Sequence, residues 1–247
     1  MAPLDGLRKA AALVYTDALG SAGIELGPTD GRHLRKSLRL RPGDVVAASD
    51  GRGRFQLCRL TGSRGALAGD QRAEAPAVLE PQSEVVWVDR VYEVTVGFSL
   101  VKGERPDWAV AKLTELGVDR MIPLVCERTV VRPDGPSGDA RADRLARVAR
   151  EAGMQSRQVY LPRVDAPRPF GDVVAELAPA VALAEPGGDP PAASLRAVLV
   201  GPEGGFTARE LEAGTATVAL GDAVLRTETA AVVAGALLTG FRAGTLR

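Results

Sequence analysis

VLVGPEGGFTARELEAGTATVALGDAVLRTETAAVVAGALL, residues 198–238, reads as strand, glycine-rich loop, short helix, strand, tight loop and buried helix. Val198-Leu199-Val200 is a short apolar run, the pattern of a strand covered on both faces. Gly201-Pro202-Glu203-Gly204-Gly205 cannot extend it; three glycines in five positions give backbone that turns sharply or passes close to a ligand. Thr207 and Glu210 have capping-box spacing, with Phe206 and Leu211 at the hydrophobic-staple positions around them. Thr217 to Leu220 is a second short strand, ending at Gly221. Leu225-Arg226-Thr227-Glu228-Thr229 leads into Ala230-Ala231-Val232-Val233-Ala234, and a helix apolar on every face is a buried one. Arg226 and Glu228 therefore stand at the mouth of a core helix, where charge needs a reason. A glycine-rich loop after a strand is often only a turn. Here two strand-to-loop junctions coincide, one with an acid and one with an Arg/Glu pair, and ligands of open α/β sheets bind beyond the carboxyl ends of strands.

The chain has 247 residues, more than one average domain, so two are expected. It is 45% hydrophobic, and Lys plus Arg balances Asp plus Glu at 31 each. That balance excludes a generally basic nucleic-acid coat and leaves room for a local basic patch. Cys58 and Cys126 lie too far apart to suggest a disulfide framework or a metal site. No apolar run approaches the ~20 residues that span a bilayer, and the N-terminus lacks a signal-peptide pattern. A cytoplasmic protein without metal or membrane partner is expected. With one histidine and no HExxH, GxSxG or Walker sequence, metalloprotease, serine-hydrolase and P-loop readings have no support.

Residues 1–72 read as a small, mainly β domain. Ala11–Tyr15 suits a strand, and Asp30 suits the cap of a short helix through Arg39. That helix carries Arg32, His33, Arg35, Lys36 and Arg39: either a solvated face or a phosphate-contacting surface. Pro42-Gly43-Asp44 is a turn before a strand at Val45–Ala48, and Asp50-Gly51 a turn before Phe55–Leu60. Residues 66–84 resemble a linker in composition. From Glu84 a strand–helix–strand rhythm begins: a central strand at Val94–Leu100, a helix from Asp107 to Leu116 closed by Gly117, and a strand at Met121–Val125. A helix from Asp139 to Ala152 carries Arg141, Arg144, Arg147 and Arg150, a spacing of three that winds around the helix. An α/β domain with a parallel sheet over residues 73–247 is the expected architecture.

GPEGG, LG and LRTETA together resemble the RsmE family of 16S ribosomal RNA methyltransferases, of the SPOUT class. HLRKSLRLRPGD (33–44), KGERPDWAVAKLTELGVDRMIPLVCERTVV (102–131) and GMQSR (153–157) resemble other parts of that family, so the likeness runs over roughly residues 30 to 240. It implies a C-terminal SPOUT domain with a deep trefoil knot, a rare exception to the rule against threading. It also implies an N-terminal PUA-like β-barrel that holds RNA, and a homodimer. The implied activity is methylation of N3 of one uridine of 16S rRNA with S-adenosylmethionine. The loops enclosing the cofactor would be Leu199, Val200, Gly201, Pro202, Glu203, Gly204 and Gly205, then Leu220 and Gly221, then Leu225, Arg226 and Thr227. Arg32, His33, Arg35, Arg39, Arg128 and Arg157 would meet the RNA. Lys112 and Glu115, three apart on a helix, are read as a structural pair.

Methyl transfer from a sulfonium is an in-line displacement, in which positioning carries much of the rate. Uridine N3 is a poor nucleophile while protonated, so a base or neighbouring cations must favour the deprotonated ring. Arg226, Glu228 and Glu203 are the candidate catalytic groups, with Arg157 beside them. Arg226 would stabilise charge on the uracil carbonyls or hold phosphate; Glu203 or Glu228 would bond the cofactor or fix Arg226. The residues leave the base unassigned, and His33 lies in the other domain. Two competing readings are a SPOUT ribose 2′-O-methyltransferase, against which Pro202 speaks because those enzymes usually carry Asn there, and an RNA-binding assembly factor without catalysis, against which the intact cofactor loop speaks.

Overall fold

The computed structural model describes residues 3–61, 77–131, 136–214 and 216–246. The chain divides into two compact units, Met1–Asp89 with Gly153–Tyr160, and Arg90–Ala152 with Leu161–Arg247. The expected boundary at residue 72 lies outside the described residues. The first unit extends further along the chain than that, because strands beyond it join its sheet.

The first unit holds α1 (Pro3–Lys9), β1 (Ala12–Tyr15), β2 (Ile24–Glu25), α2 (Pro28–Arg32), β3 (Val45–Ser49), β4 (Arg54–Thr61), β5 (Val78–Pro81) and β6 (Val86–Trp87). The strand order is β1-β3-β4-β5-β2, with β6 also on β4; β1 and β3 run parallel and the other pairs antiparallel. Val14, Ile24, Leu34, Val46, Cys58, Leu60 and Leu79 pack into one core. Burial raises the Cys58 thiol to about 11, so it is an inert core residue. The basic helix differs from expectation. It starts at Pro28 behind Gly27, because proline presets φ and lacks the N–H that a first-turn residue would leave unpaired; Asp30 stands inside the first turn and is not the N-cap. After Arg32 the chain widens into a π-turn, His33–Ser37. It ends as Arg39 adopts φ 56°, with Leu40 N donating to Leu34 O at 3.0 Å.

Residues 153–160 are built into this first unit. Tyr15 Oη donates to Gln158 O at 2.7 Å, Gly53 N to Val159 O at 3.1 Å, and Tyr160 Oη to Val88 O at 2.6 Å. Gly53 is glycine for two reasons: its φ is +99°, and a Cβ there would lie 2.4 Å from the Tyr160 ring.

The second unit contains β7 (Thr95–Ser99), α3 (Arg105–Leu116), β8 (Arg120–Val125), α4 (Pro136–Ser156, whose last residues belong to the first unit), β9 (Arg163–Val164), β10 (Arg168–Pro169), α5 (Phe170–Leu177), β11 (Val181–Asp189), β12 (Ala197–Val200), α6 (Ala208–Ala213), β13 (Thr217–Val218) and α7 (Thr227–Arg242). Every pair in its sheet is parallel, in the order β10-β8-β7-β12-β11-β13, with β9 on β8. All of β7 and β12 is buried. Alternation then splits their side chains: Val96, Phe98, Val198 and Val200 face a core shared with Val110, Leu113, Ala231 and Ala234. Leu199, Ile122 and Leu124 face another, with Phe170, Val173 and Phe206. Gly97 is the close approach in this sheet, since a Cβ there would meet Leu199 Cδ2 at 2.5 Å.

Local signals set the helices. Gly117 closes α3 in the left-handed conformation, φ 81°. Its start differs from expectation: Glu104 is the N-cap and Asp107 lies in the first turn, where it accepts from Arg144 Nη2 at 2.6 Å. Helix α4 starts at Pro136, earlier than the Asp139 expected. Lys112 Nζ meets Glu115 Oε1 at 2.8 Å, the pair expected from their spacing. Asp119 is buried, accepts from Val94 N, and pairs with Arg90 and Arg242, which ties the end of α7 to the sheet.

At the sheet edge Arg120 and Arg168 both bond the exposed Glu176. Hydrogen bonds first from Arg120 and then from Arg168 hold its carboxyl at about 2 instead of 4.5. A depressed carboxylate stabilises the fold above its unfolded-state pKa, and that share disappears as the pH falls toward the folded-state value. Glu176→Gln should therefore lower the thermal midpoint slightly at pH 7. Melting curves of the two proteins should converge as the pH falls from 4.5 to about 2.

Candidate active site

A cavity of about 310 Å³ opens beyond the carboxyl end of β12, beside the middle of β11, where the pairing of the two strands ends. Four segments make it: Ala184–Pro186 of β11, Val200–Phe206, the loop residues Leu220, Gly221, Ala223, Val224 and Leu225, and Thr227 with Ala230 of α7. The stretches around GPEGG and LRTET thus share one hollow.

Each wall has a local cause. Gly205 takes φ +70°, where only glycine is at ease, and its N–H closes a turn onto Pro202 O at 2.8 Å. The capping box forms as the spacing requires: Thr207 Oγ1 accepts from Glu210 N, and Thr207 N donates to Glu210 Oε2 at 2.8 Å. Glu210 is buried, and its other oxygen accepts from Glu127 N at 2.9 Å. Phe206 lies on Phe170, ring centroids 5.2 Å apart, and anchors the far end of the loop in the core. Thr227 Oγ1 donates to Gly201 O at 3.0 Å, which joins the start of α7 to the loop.

The charged groups are arranged differently from expectation. Arg226 is the N-cap residue of α7 and is exposed; its side chain has no partner among the described residues and does not line the cavity. Neither Glu203 nor Glu228 fixes it. Both bracket Arg105 instead, whose Nη1 lies 2.5 Å from Glu203 Oε1 and 3.7 Å from Glu228 Oε2. Arg105 is legible in the sequence only as a charge before Pro106; its partners Glu203 and Glu228 lie 98 and 123 residues on. Glu203 lines the cavity, as does Glu185. Cys126, near the loop, is pushed up to about 12, by burial first and the Glu210 charge second, and is no nucleophile. Among the described residues no group of His, Cys, Asp and Glu is placed to hold a metal.

Residues 89–239 match the family model of the RNA methyltransferase domain, and residues 26–68 that of the RNA methyltransferase PUA domain. The ribosomal RNA small subunit methyltransferase E of Mycobacterium tuberculosis is 33% identical over 246 residues, 91% of this chain and 89% of that protein. The chain belongs to the ribosomal RNA small subunit methyltransferase E family. A crystal structure of the family's Neisseria gonorrhoeae member, bound to S-adenosyl methionine, is 28% identical with a TM-score of 0.76, covering 93% of this chain and 97% of that one. A Legionella pneumophila protein, 22% identical with a TM-score of 0.77 over 92% and 96% of the chains, shares the fold.

The residues of the family motifs do not all reach the cavity. Val200 to Gly205, Leu220, Gly221, Leu225 and Thr227 line the cavity. Leu199 does not: alternation along β12 turns its side chain into the core on the sheet's other face. Arg128, expected at the RNA, spends Nη1 on the carbonyls of Gly204 and Phe206, at 2.7 and 3.4 Å, and so fastens the glycine loop. Arg157 and the basic set Arg32, His33, Arg35 and Arg39 belong to the first unit. Arg157 sits at φ 57° and donates Nε to Ala10 O at 2.9 Å. Arg32 and Arg39 are exposed, His33 and Arg35 half-buried.

Proposed function

We propose that this chain transfers the methyl group of S-adenosylmethionine to N3 of one uridine in 16S ribosomal RNA. The observation that carries the reading is the cavity shared by the glycine loop and the LRTET segment in a chain of this family. The cavity fits the cofactor's chemistry. Its walls are apolar at Val200, Leu220, Val224, Leu225 and Ala230, suited to an adenine. Gly201, Gly204 and Gly205 bring backbone close, and two carboxylates suit a ligand with hydroxyls and positive charge. The bound cofactor supplies the methyl group as an electrophile. The chain's own residues position the donor, and Arg226, between the cavity-lining Leu225 and Thr227, is the proposed cation for charge developing on the uracil carbonyls. Glu203, which lines the cavity, and Glu228, behind it beside Arg105, are the proposed catalytic carboxylates.

The stretch from β11 to α7 is read as a deep trefoil knot. The position of β11 between β12 and β13, out of chain order, supports it. The working form is read as a homodimer in the cytoplasm, where ribosomes are assembled. Support for the dimer comes from α7, on which Val233, Leu237 and Phe241 stand four apart and only half-buried, an apolar stripe suited to a second copy. Leu237→Asp should shift the protein from dimer to monomer in analytical ultracentrifugation; an unchanged mass would remove this face from the interface. No helix among the described residues is long and apolar enough to cross a membrane.

The test of function is mass mapping of nucleosides after incubating the protein with S-adenosylmethionine and unmethylated 16S RNA or small subunits. N3-methyluridine at one position is expected. A 2′-O-methylated ribose, or no product with either substrate, would overturn the reading.

A further inference from the structure

We infer that Arg105 is a positioning residue for the cofactor: it holds one oxygen of Glu203 and leaves the other to accept hydrogen bonds from the ribose hydroxyls of a bound adenosyl ligand. The inference rests on the cofactor reading above. Glu203 sits on the glycine loop with 57% of its side chain exposed, yet it lines the cavity. A carboxylate so placed samples several rotamers, and one that meets hydroxyls at fixed distance needs its rotamer held by a neighbour. Arg105, at the start of α3, supplies that hold through Nη1 on Oε1 at 2.5 Å. Glu203 Oε2 has no hydrogen bond among the described residues.

Glu228 keeps Arg105 in place. Its side chain is 11% exposed, and its buried Oε2 has no hydrogen bond among the described residues. At 3.7 Å the contact with Arg105 is too long for a hydrogen bond; it is an ion pair, with its acid shielded from water and its guanidinium 35% exposed. The first turn of α7 fixes this carboxylate, and a helix N-terminus favours its charge. Control thus passes from a buried acid, through a partly exposed guanidinium, to an exposed acid at the cavity. A carboxylate at the carboxyl end of parallel strands is also how other α/β sheets recognise a ribose diol.

The test is calorimetric titration of the full chain with S-adenosylmethionine and S-adenosylhomocysteine, alongside melting curves. Arg105→Ala and Glu203→Gln should each weaken both ligands about tenfold, and Arg105→Lys should recover most of that loss. The double variant should be no weaker than either single one, because both changes remove the same interaction. In methylation assays the effect should fall on KM for the cofactor more than on kcat. Wild-type affinity in Arg105→Ala or in Glu203→Gln overturns the inference, the latter pointing to Glu185 as the acceptor. Additive losses, or a fall in melting temperature with unchanged affinity, also overturn it. If Arg105→Ala does not fold, Arg105→Lys and Glu203→Gln decide the question. A wild-type protein that binds neither ligand overturns the cofactor reading itself.

Discussion

Gly205→Val is expected to weaken S-adenosylmethionine binding by about 10- to 100-fold. Gly205 holds φ +70°, which a β-branched residue adopts only at a cost of about 1–3 kcal/mol. Nothing lies within 4 Å of where its Cβ would be, so the penalty is conformational and not a clash. The loop can escape it by leaving the turn onto Pro202 O, which dismantles one wall of the cavity. At about 1.4 kcal/mol per factor of ten, the strain converts to the stated loss. Gly204→Val is the informative contrast. Its φ is unremarkable, and a Cβ there meets the flexible Arg128 side chain at 3.5 Å, an ordinary contact. Backbone geometry therefore places the larger effect one residue beyond it. Calorimetry on both variants checks the order; equal affinities would show that the loop's left-handed turn is not needed for binding.

Arg226→Ala is expected to lower kcat by about 10²- to 10³-fold while leaving the melting temperature and cofactor affinity close to wild type. The side chain is exposed and has no partner among the described residues, and it makes no side-chain cap of α7, so its removal costs the fold little. A cation that stabilises charge appearing only in the transition state acts on kcat, with the magnitude typical of one oxyanion-type donor. Single-turnover methylation of 16S RNA at saturating cofactor is the measurement. Turnover within a factor of two of wild type would take Arg226 out of the mechanism and leave it a surface residue.

The parts legible in the sequence are those fixed by neighbours in the chain. The capping box at Thr207 and Glu210, the closing glycine at 117 and the parallel-strand runs at 95–99 and 197–200 each follow from residues a few positions apart. The cavity was legible for the same reason: glycine loop and LRTET segment both follow strand ends. What sequence reading missed depends on pairing across long separations. Glu203 and Glu228 meet Arg105, 98 and 123 positions earlier in the chain, whereas Arg226 beside them is exposed and has no side-chain partner among the described residues. Arg128, expected at the RNA, is engaged by carbonyl partners 76 and 78 positions away. The caps at Asp30 and Asp107 failed because a proline one or two residues earlier starts the helix sooner.

Residues 153–160 bear on how this protein can be dissected. The polypeptide leaves the first unit at Asp89 and comes back to it for eight residues before departing again at Tyr160. A fragment ending at Asp89 would carry Tyr15 and Gly53 with their acceptors Gln158 and Val159 deleted, and the hollow filled by the Tyr160 ring would stand vacant. The two units are therefore not separable cassettes. Gene fusion, domain exchange or limited proteolysis at that junction should yield a crippled N-terminal piece, so the N-terminal half must evolve in step with the half that follows it.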